Sequence, residues 1–231
     1  MAEVTEAAGV RGRCVVLAGG TSAAGRACAR VLVAAGARVV VVGSTSERLK
    51  AIASEIPGVA VEQCDLTDAD AVDALRERVH AAHGSVDGVL HLVGGWRGGG
   101  GLAGQSDDDF AFLLRSLTAL RHVSRAFDAD LRASSAGRLT IVSSTSVVRP
   151  LAGGANYAAV KAASETWVRA VGQGYAKHAR DAGLAVSAAA VIFRVKGLAG
   201  REEALASAFL SLWDDDAAIW NDSVVGLDDP A

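Results

Sequence analysis

The stretch "CVVLAGGTSAAGRA" (residues 14–27) passes from an apolar run through a glycine-bearing turn into an Ala-rich, helix-forming segment. The run "CVVLAG" (14–19) shows no polar alternation, so both of its faces are buried, as in a strand of a parallel sheet. In the turn, Gly19 and Gly25 flank the hydroxyls of Thr21 and Ser22, and Ser22 is a helix-start residue. A helix that opens from such a turn presents free N–H groups to an anion, so the segment reads as a pyrophosphate cradle at the head of a dinucleotide-binding unit.

Outward from this unit the same alternation repeats. "RVVVVG" (38–43), "VAVEQC" (59–64), "VDGVLHLV" (86–93), "GRLTIVSS" (137–144) and "LAVSAAAVIF" (184–193) read as further strands, and "DSVVGL" (222–227) as a seventh. Helical stretches lie near 22–35, 45–56, 68–83, 106–132, 155–182 and 201–213. Ser22, Thr45, Asp68 and Ser106 supply start signals, and Gly36 and Gly183 supply stops. This order predicts an α/β fold: one domain over 12–231, a doubly wound parallel sheet of about seven strands with helices on both faces. A flexible arm is expected at 1–11 and a short substrate loop near 195–207. Ligands of such a sheet bind beyond the carboxyl ends of its strands.

Composition narrows the function. Hydrophobic residues make up 51% of the 231-residue chain and charged ones 21%, but no apolar run reaches the ~20 residues of a membrane span. The net charge is −3 and the arginines are scattered, which excludes a nucleic-acid face. The start "MAEVTEAAGV" lacks the basic region of a signal peptide. Cys14, Cys28 and Cys64 are widely spaced in apolar settings and read as free thiols of a cytoplasmic protein. Neither they nor the histidines have metal-ligand spacing, so no metal is expected. The runs "DDD" at 107–109 and 214–216 read as helix-end charge.

One further motif carries chemistry. In "NYAAVK" (156–161), Tyr157 and Lys161 stand four apart and so share one helix face. Tyr157 also follows Ser144, the last residue of a predicted strand, by 13 positions. A phenol has an ordinary pKa of ~10, too high for a base near neutrality, and a neighbouring ammonium lowers it. Ser144 is placed to hold a substrate oxygen, Tyr157 to exchange its proton and Lys161 to tune the phenol.

These motifs resemble the short-chain dehydrogenase/reductase family over residues 12–195. The turn is similar to the family's T-G-x-x-x-G-x-G, with Ala18 for the Thr, Ala23 for the middle Gly, and Gly19 and Gly25 retained. The resemblance implies a Rossmann fold and a carbonyl or alcohol oxidoreductase. By it, Gly19, Thr21, Ser22, Ala24 and Gly25 cradle the cofactor phosphates, Asp65 and Leu66 hold the adenine, and Leu92 and Gly94 hold the ribose together with Tyr157 and Lys161. Ser44 and Thr45 replace the acidic residue of NAD-preferring members, and Arg48 adds charge nearby, so NADP(H) is expected over NAD(H). The resemblance also implies a homotetramer or homodimer formed through the helices at 106–132 and 155–182.

The chain departs from the family at four places. "HLVG" (91–94) stands for N-N-A-G. "LLRSLTAL" (113–120) offers Ser116 or Leu117 where an Asn anchors a proton-relaying water, and of the two only Ser116 can hold one. Val195 and Lys196 stand where a Pro-Gly turn grips the carboxamide, and the lid is short. An open site suits a bulky or carrier-bound carbonyl or alcohol substrate. Three functions are therefore expected in turn: an oxidoreductase, a degenerate cofactor-binding or regulatory protein, and a non-redox cyclase or lyase. The glycine loop "GGWRGGGGLAG" (94–104) reads as a flap or as a plain surface loop, with Trp96 and Arg97 as candidate substrate contacts.

Overall fold

The computed structural model describes residues 9–227. Seven parallel strands form one sheet in the order β3-β2-β1-β4-β5-β6-β7. They are β1 (Cys14–Ala18), β2 (Arg38–Gly43), β3 (Val59–Gln63), β4 (Gly88–His91), β5 (Gly137–Ser144), β6 (Ala188–Val195) and β7 (Ser223–Gly226). The helices are α1 (Ala23–Ala34), α2 (Ser46–Glu55), α3 (Ala69–His83), α4 (Asp107–Ala133), α5 (Ala155–Ala182), α6 (Glu202–Ser211) and the short α7 (Ala217–Trp220). The strand order reverses between β1 and β4, which opens a crevice at their carboxyl ends.

Period-2 alternation sends successive strand residues to opposite cores. Val15, Leu17, Leu90 and Phe193 pack on the side that holds α1 and α6. Val16, Val89, Leu139 and Ile192 pack on the other side, with Phe127 of α4 and Tyr175 of α5. Each large apolar side chain buried in this way contributes about 1.5–3 kcal/mol. Both faces are therefore dry, and the strands carry apolar runs rather than alternation.

The helix starts follow side-chain chemistry. Ser22 accepts from the Gly25 N–H, Asp68 from Ala71 and Ser106 from Asp109. Thr45 occupies the same position before α2 but makes no side-chain cap.

Two expectations need correction. Val10 is fully buried and Arg13 donates to the Gly9 carbonyl, so residues 9–11 belong to the packed domain and not to a loose arm. Residues 1–8 of the expected arm, and 228–231 of the expected domain, lie outside the described residues. The sixth strand starts and ends later than expected. Its lead 184–187 lies before the strand, with the Ser187 carbonyl accepting from the Gly137 N–H of β5, whereas Arg194 and Val195 pair with Ser143 and Ser144. One strand residue is charged and yet buried, Arg138 of β5. It is 1% exposed and donates to the Leu212 and Asp215 carbonyls beyond α6, satisfying groups that a helix end leaves unpaired.

Candidate active site

At the carboxyl ends of β4, β5 and β6 lies a cleft of about 1120 Å³, which Ser22 enters from the start of α1. Ser144, Tyr157 and Lys161 all line it, with Leu92 and Gly94 on one wall and Val195 and Lys196 on the other. Among the described residues its lining includes Arg149, Lys161 and Lys196 and no carboxylate.

The phosphate cradle depends on a close approach. A Cβ on Gly25 would lie 2.0 Å from the Gly20 carbonyl oxygen, so only glycine lets α1 start this close to β1. The Gly19 N–H is bound to the Val42 carbonyl, and the exposed Ser22 and Ala23 open α1 toward the cleft. Ala24 is buried and offers backbone alone. Thr21 turns its methyl against Gly43 at the end of β2. Ser44 is exposed and its carbonyl accepts from Gln63, which leaves the end of β2 without a carboxylate. Asp65 is exposed and accepts from the Thr67 N–H and hydroxyl, which hold its carboxyl below the usual range. Leu66 is buried. This cradle fits a dinucleotide.

Ser144 ends β5 within reach of the phenol. Burial pushes the Tyr157 hydroxyl up from its ordinary pKa, and hydrogen bonding from Ser144 pulls weakly the other way. The Lys161 Nζ donates to the Val142 carbonyl at 2.8 Å and sits 5.8 Å from the Tyr157 ring centroid. Burial lowers Lys161 to about 8, partly opposed by the Glu165 carboxylate. Lys161, expected to hold the phenol pKa down, turns its Nζ to the Val142 carbonyl in this structure. The ammonium points into a carbonyl, and desolvation dominates at Tyr157.

The sequence profile of the short chain dehydrogenase family matches residues 13–191. The chain belongs to the short-chain dehydrogenase/reductase family. An uncharacterized oxidoreductase of Mycobacterium tuberculosis is 34% identical over 92 residues, 37% of this chain and 27% of that protein. A fatty acyl-CoA reductase of Acinetobacter baylyi is 32% identical over 89 residues, 37% of this chain and 30% of that protein. The matches thus span less than a third of these relatives' length. A metagenomic short-chain oxidoreductase solved in complex with NADP superposes with TM-score 0.81 at 25% identity, covering 94% of this chain and 98% of that one.

The departures from the family pattern take physical form. The Ser116 hydroxyl, expected to hold a water, donates to the Leu113 carbonyl of its own helix at 2.7 Å. This back-bonding, common for a mid-helix serine, takes Ser116 out of the cleft lining. Its carbonyl instead accepts from His91 Nε2 at 3.1 Å. His91 is 5% exposed and stays neutral, because burial, then the charge of Lys161, lowers it to about 3. Arg97 stacks 3.9 Å over the Phe112 ring and faces Asp109 at 3.8 Å, so its guanidinium is held outside the cleft while Trp96 lines it.

Sequence reasoning missed a buried bridge beneath Lys161. Glu165, 4% exposed, accepts from the Ser143 hydroxyl at 2.6 Å and from Arg194 Nε at 2.9 Å. Tyr157, Lys161 and Glu165 recur every four residues, and that periodicity was the available signal. The three cysteines are free and buried, and burial pushes each thiol up, to about 11, 12 and 11 in chain order. No helix of the described residues is long and apolar enough to cross a membrane.

Proposed function

We propose that this chain is an NADP(H)-dependent oxidoreductase acting on a ketone or secondary alcohol, with Tyr157 as the acid–base residue. The observation that carries the reading is the convergence of Ser144, Tyr157 and Lys161 on one cleft that also receives the start of α1. The bound nicotinamide supplies or accepts the hydride. Ser144 orients the substrate oxygen, Tyr157 donates its proton to that oxygen during reduction, and Lys161 carries positive charge beside the phenolate that results. Reaction in reverse returns the proton to Tyr157.

NADP(H) is favoured over NAD(H) because Ser44 and Thr45 place no carboxylate at the end of β2 to repel a 2′-phosphate. The cationic lining of the cleft and the NADP complex of the metagenomic relative support the same choice. A bulky apolar substrate, free or carrier-bound, fits the mouth, where Trp96 and Leu151 are 60% and 72% exposed and still line the cleft. The name of the Acinetobacter relative, a fatty acyl-CoA reductase, agrees with such a substrate. A homodimer or homotetramer through α4 and α5, and a cytoplasmic location for three buried thiols, complete the proposal.

The turned-away Ser116 hydroxyl favours a second reading, a cofactor binder without turnover. Fluorescence titration with NADPH and NADH, followed by a panel of aliphatic, aromatic and acyl carbonyl compounds, separates the two. The oxidoreductase reading requires NADPH binding and reduction of a panel member that Tyr157→Phe lowers by about 10²–10⁴-fold. Binding with no turnover in either protein supports the second reading, and no binding of either nucleotide points to a non-redox lyase or cyclase.

A further inference from the structure

Helix α5 carries Tyr157 as its third residue, but its own N-cap, Gly154, provides no side chain. The first N–H groups of a helix need acceptors, usually from the residue just before it. Here one acceptor comes from 51 positions upstream: Gln105 Oε1 accepts from the Asn156 N–H at 3.1 Å. Asn156 answers in kind, its Nδ2 donating to the Ser106 carbonyl at 3.1 Å. The start of α4 and the start of α5 are thereby clasped together.

The other end of the same amide grips the glycine loop. Gln105 Nε2 lies 3.2 Å from the Gly99 and Gly101 carbonyls and 3.1 Å from the Gly153 carbonyl, so its two hydrogens are shared among three acceptors. The Gly99 N–H also donates to the Gly153 carbonyl at 2.7 Å. A Cβ on Gly98 would lie 2.4 Å from that oxygen, so a bare backbone is what lets the loop sit so closely on the turn before α5. The loop is therefore fastened to the segment that leads into Tyr157, and Trp96 and Gly99 of the same loop line the cleft.

We propose that Gln105 is a positioning residue that couples the glycine loop to Tyr157: contact of a substrate with the Trp96 side of the loop is passed through one amide to the first turn of α5, fixing the phenol. The proposal rests on the oxidoreductase reading for its catalytic consequence, but its structural half stands without it. Gln105 is half-buried at the surface, so substituting it leaves both cores intact.

Amide hydrogen exchange of the full chain without ligand tests the structural half. Gln105→Leu is expected to speed exchange at 99–101 and at 155–157 together, each by about tenfold, with β1 and β4 unchanged. Gln105→Glu keeps an acceptor for the Asn156 N–H but loses the donor, so it is expected to speed exchange at 99–101 and leave 155–157 near wild type. Faster exchange in the loop of Gln105→Leu with none at 155–157 overturns the coupling. For the catalytic half, kcat of Gln105→Leu on any carbonyl compound the wild type reduces is expected to fall about tenfold, with NADPH affinity within twofold and Gln105→Glu intermediate. An unchanged kcat, or an equal loss of NADPH affinity, overturns the positioning role. If the wild type reduces nothing in the panel, the oxidoreductase reading fails and the exchange result still decides the clasp.

Discussion

Arg194 meets Glu165 with two donors, Nε at 2.9 Å and Nη2 at 2.5 Å, tying the end of β6 to α5 one helical turn after Lys161. Burial alone raises the Glu165 carboxyl, but hydrogen bonds from Arg194 and Ser143 and the guanidinium charge outweigh it and hold the group below its ordinary value. A carboxyl depressed in this way stabilises the fold above its unfolded pKa, and that contribution fades as pH falls through the folded one. The bridge also supplies a negative charge under Lys161.

Replacing this carboxylate tests both roles. Glu165→Gln is expected to cost about 3 kcal/mol at neutral pH, because Arg194 loses its partner in a mostly buried setting. The loss should shrink in acid as the wild-type carboxyl protonates. The Lys161 pKa should also fall below about 8, since the Glu165 charge is what raises it. Urea unfolding at pH 7 and pH 4, with 13C-lysine NMR across pH, reads all three.

Lys161 is held at a cost to the fold. With its pKa lowered from 10.5 to about 8, the unfolded chain takes up the proton first as pH falls through that window. Stability therefore declines from pH 10.5 to about 8 and is level below, as far as this group is concerned. Lys161→Met is expected to be more stable than wild type at pH 7 by ~2 kcal/mol, the burial cost less one lost hydrogen bond. That gain should vanish near pH 10.5. Thermal or urea melts at the two pH values check it.

Gly25→Ala places a methyl into the Gly20 carbonyl. Backbone cannot yield as a side-chain tip can, so a loss of about 3 kcal/mol is expected, with NADPH binding weakened in whatever fraction folds. A chemical denaturation curve with no shift in midpoint would contradict the close approach of α1 to β1.

Ser44→Asp sets a carboxylate at the exposed end of β2. The ratio of NADPH to NADH affinity is expected to fall by at least about tenfold, through repulsion of the 2′-phosphate and acceptance from the 2′-hydroxyl. Paired fluorescence titrations measure the ratio, and an unchanged one places 2′-phosphate selection elsewhere.

The sequence by itself determined the seven strands, the doubly wound order of elements and the meeting of Ser144, Tyr157 and Lys161. Those rest on short periods, two for strands and four for a helix face, and on caps such as Ser22 and Ser106 that act within a few residues. Tertiary structure alone decided where the polar atoms of the site point. Ser116 turns into its own helix, Lys161 spends a hydrogen on Val142, Arg97 leaves the cleft for Phe112, and Gln105 caps a helix 51 residues away. Each of these is a choice among competing partners, made by distances between elements far apart in the chain, and no local period encodes such distances.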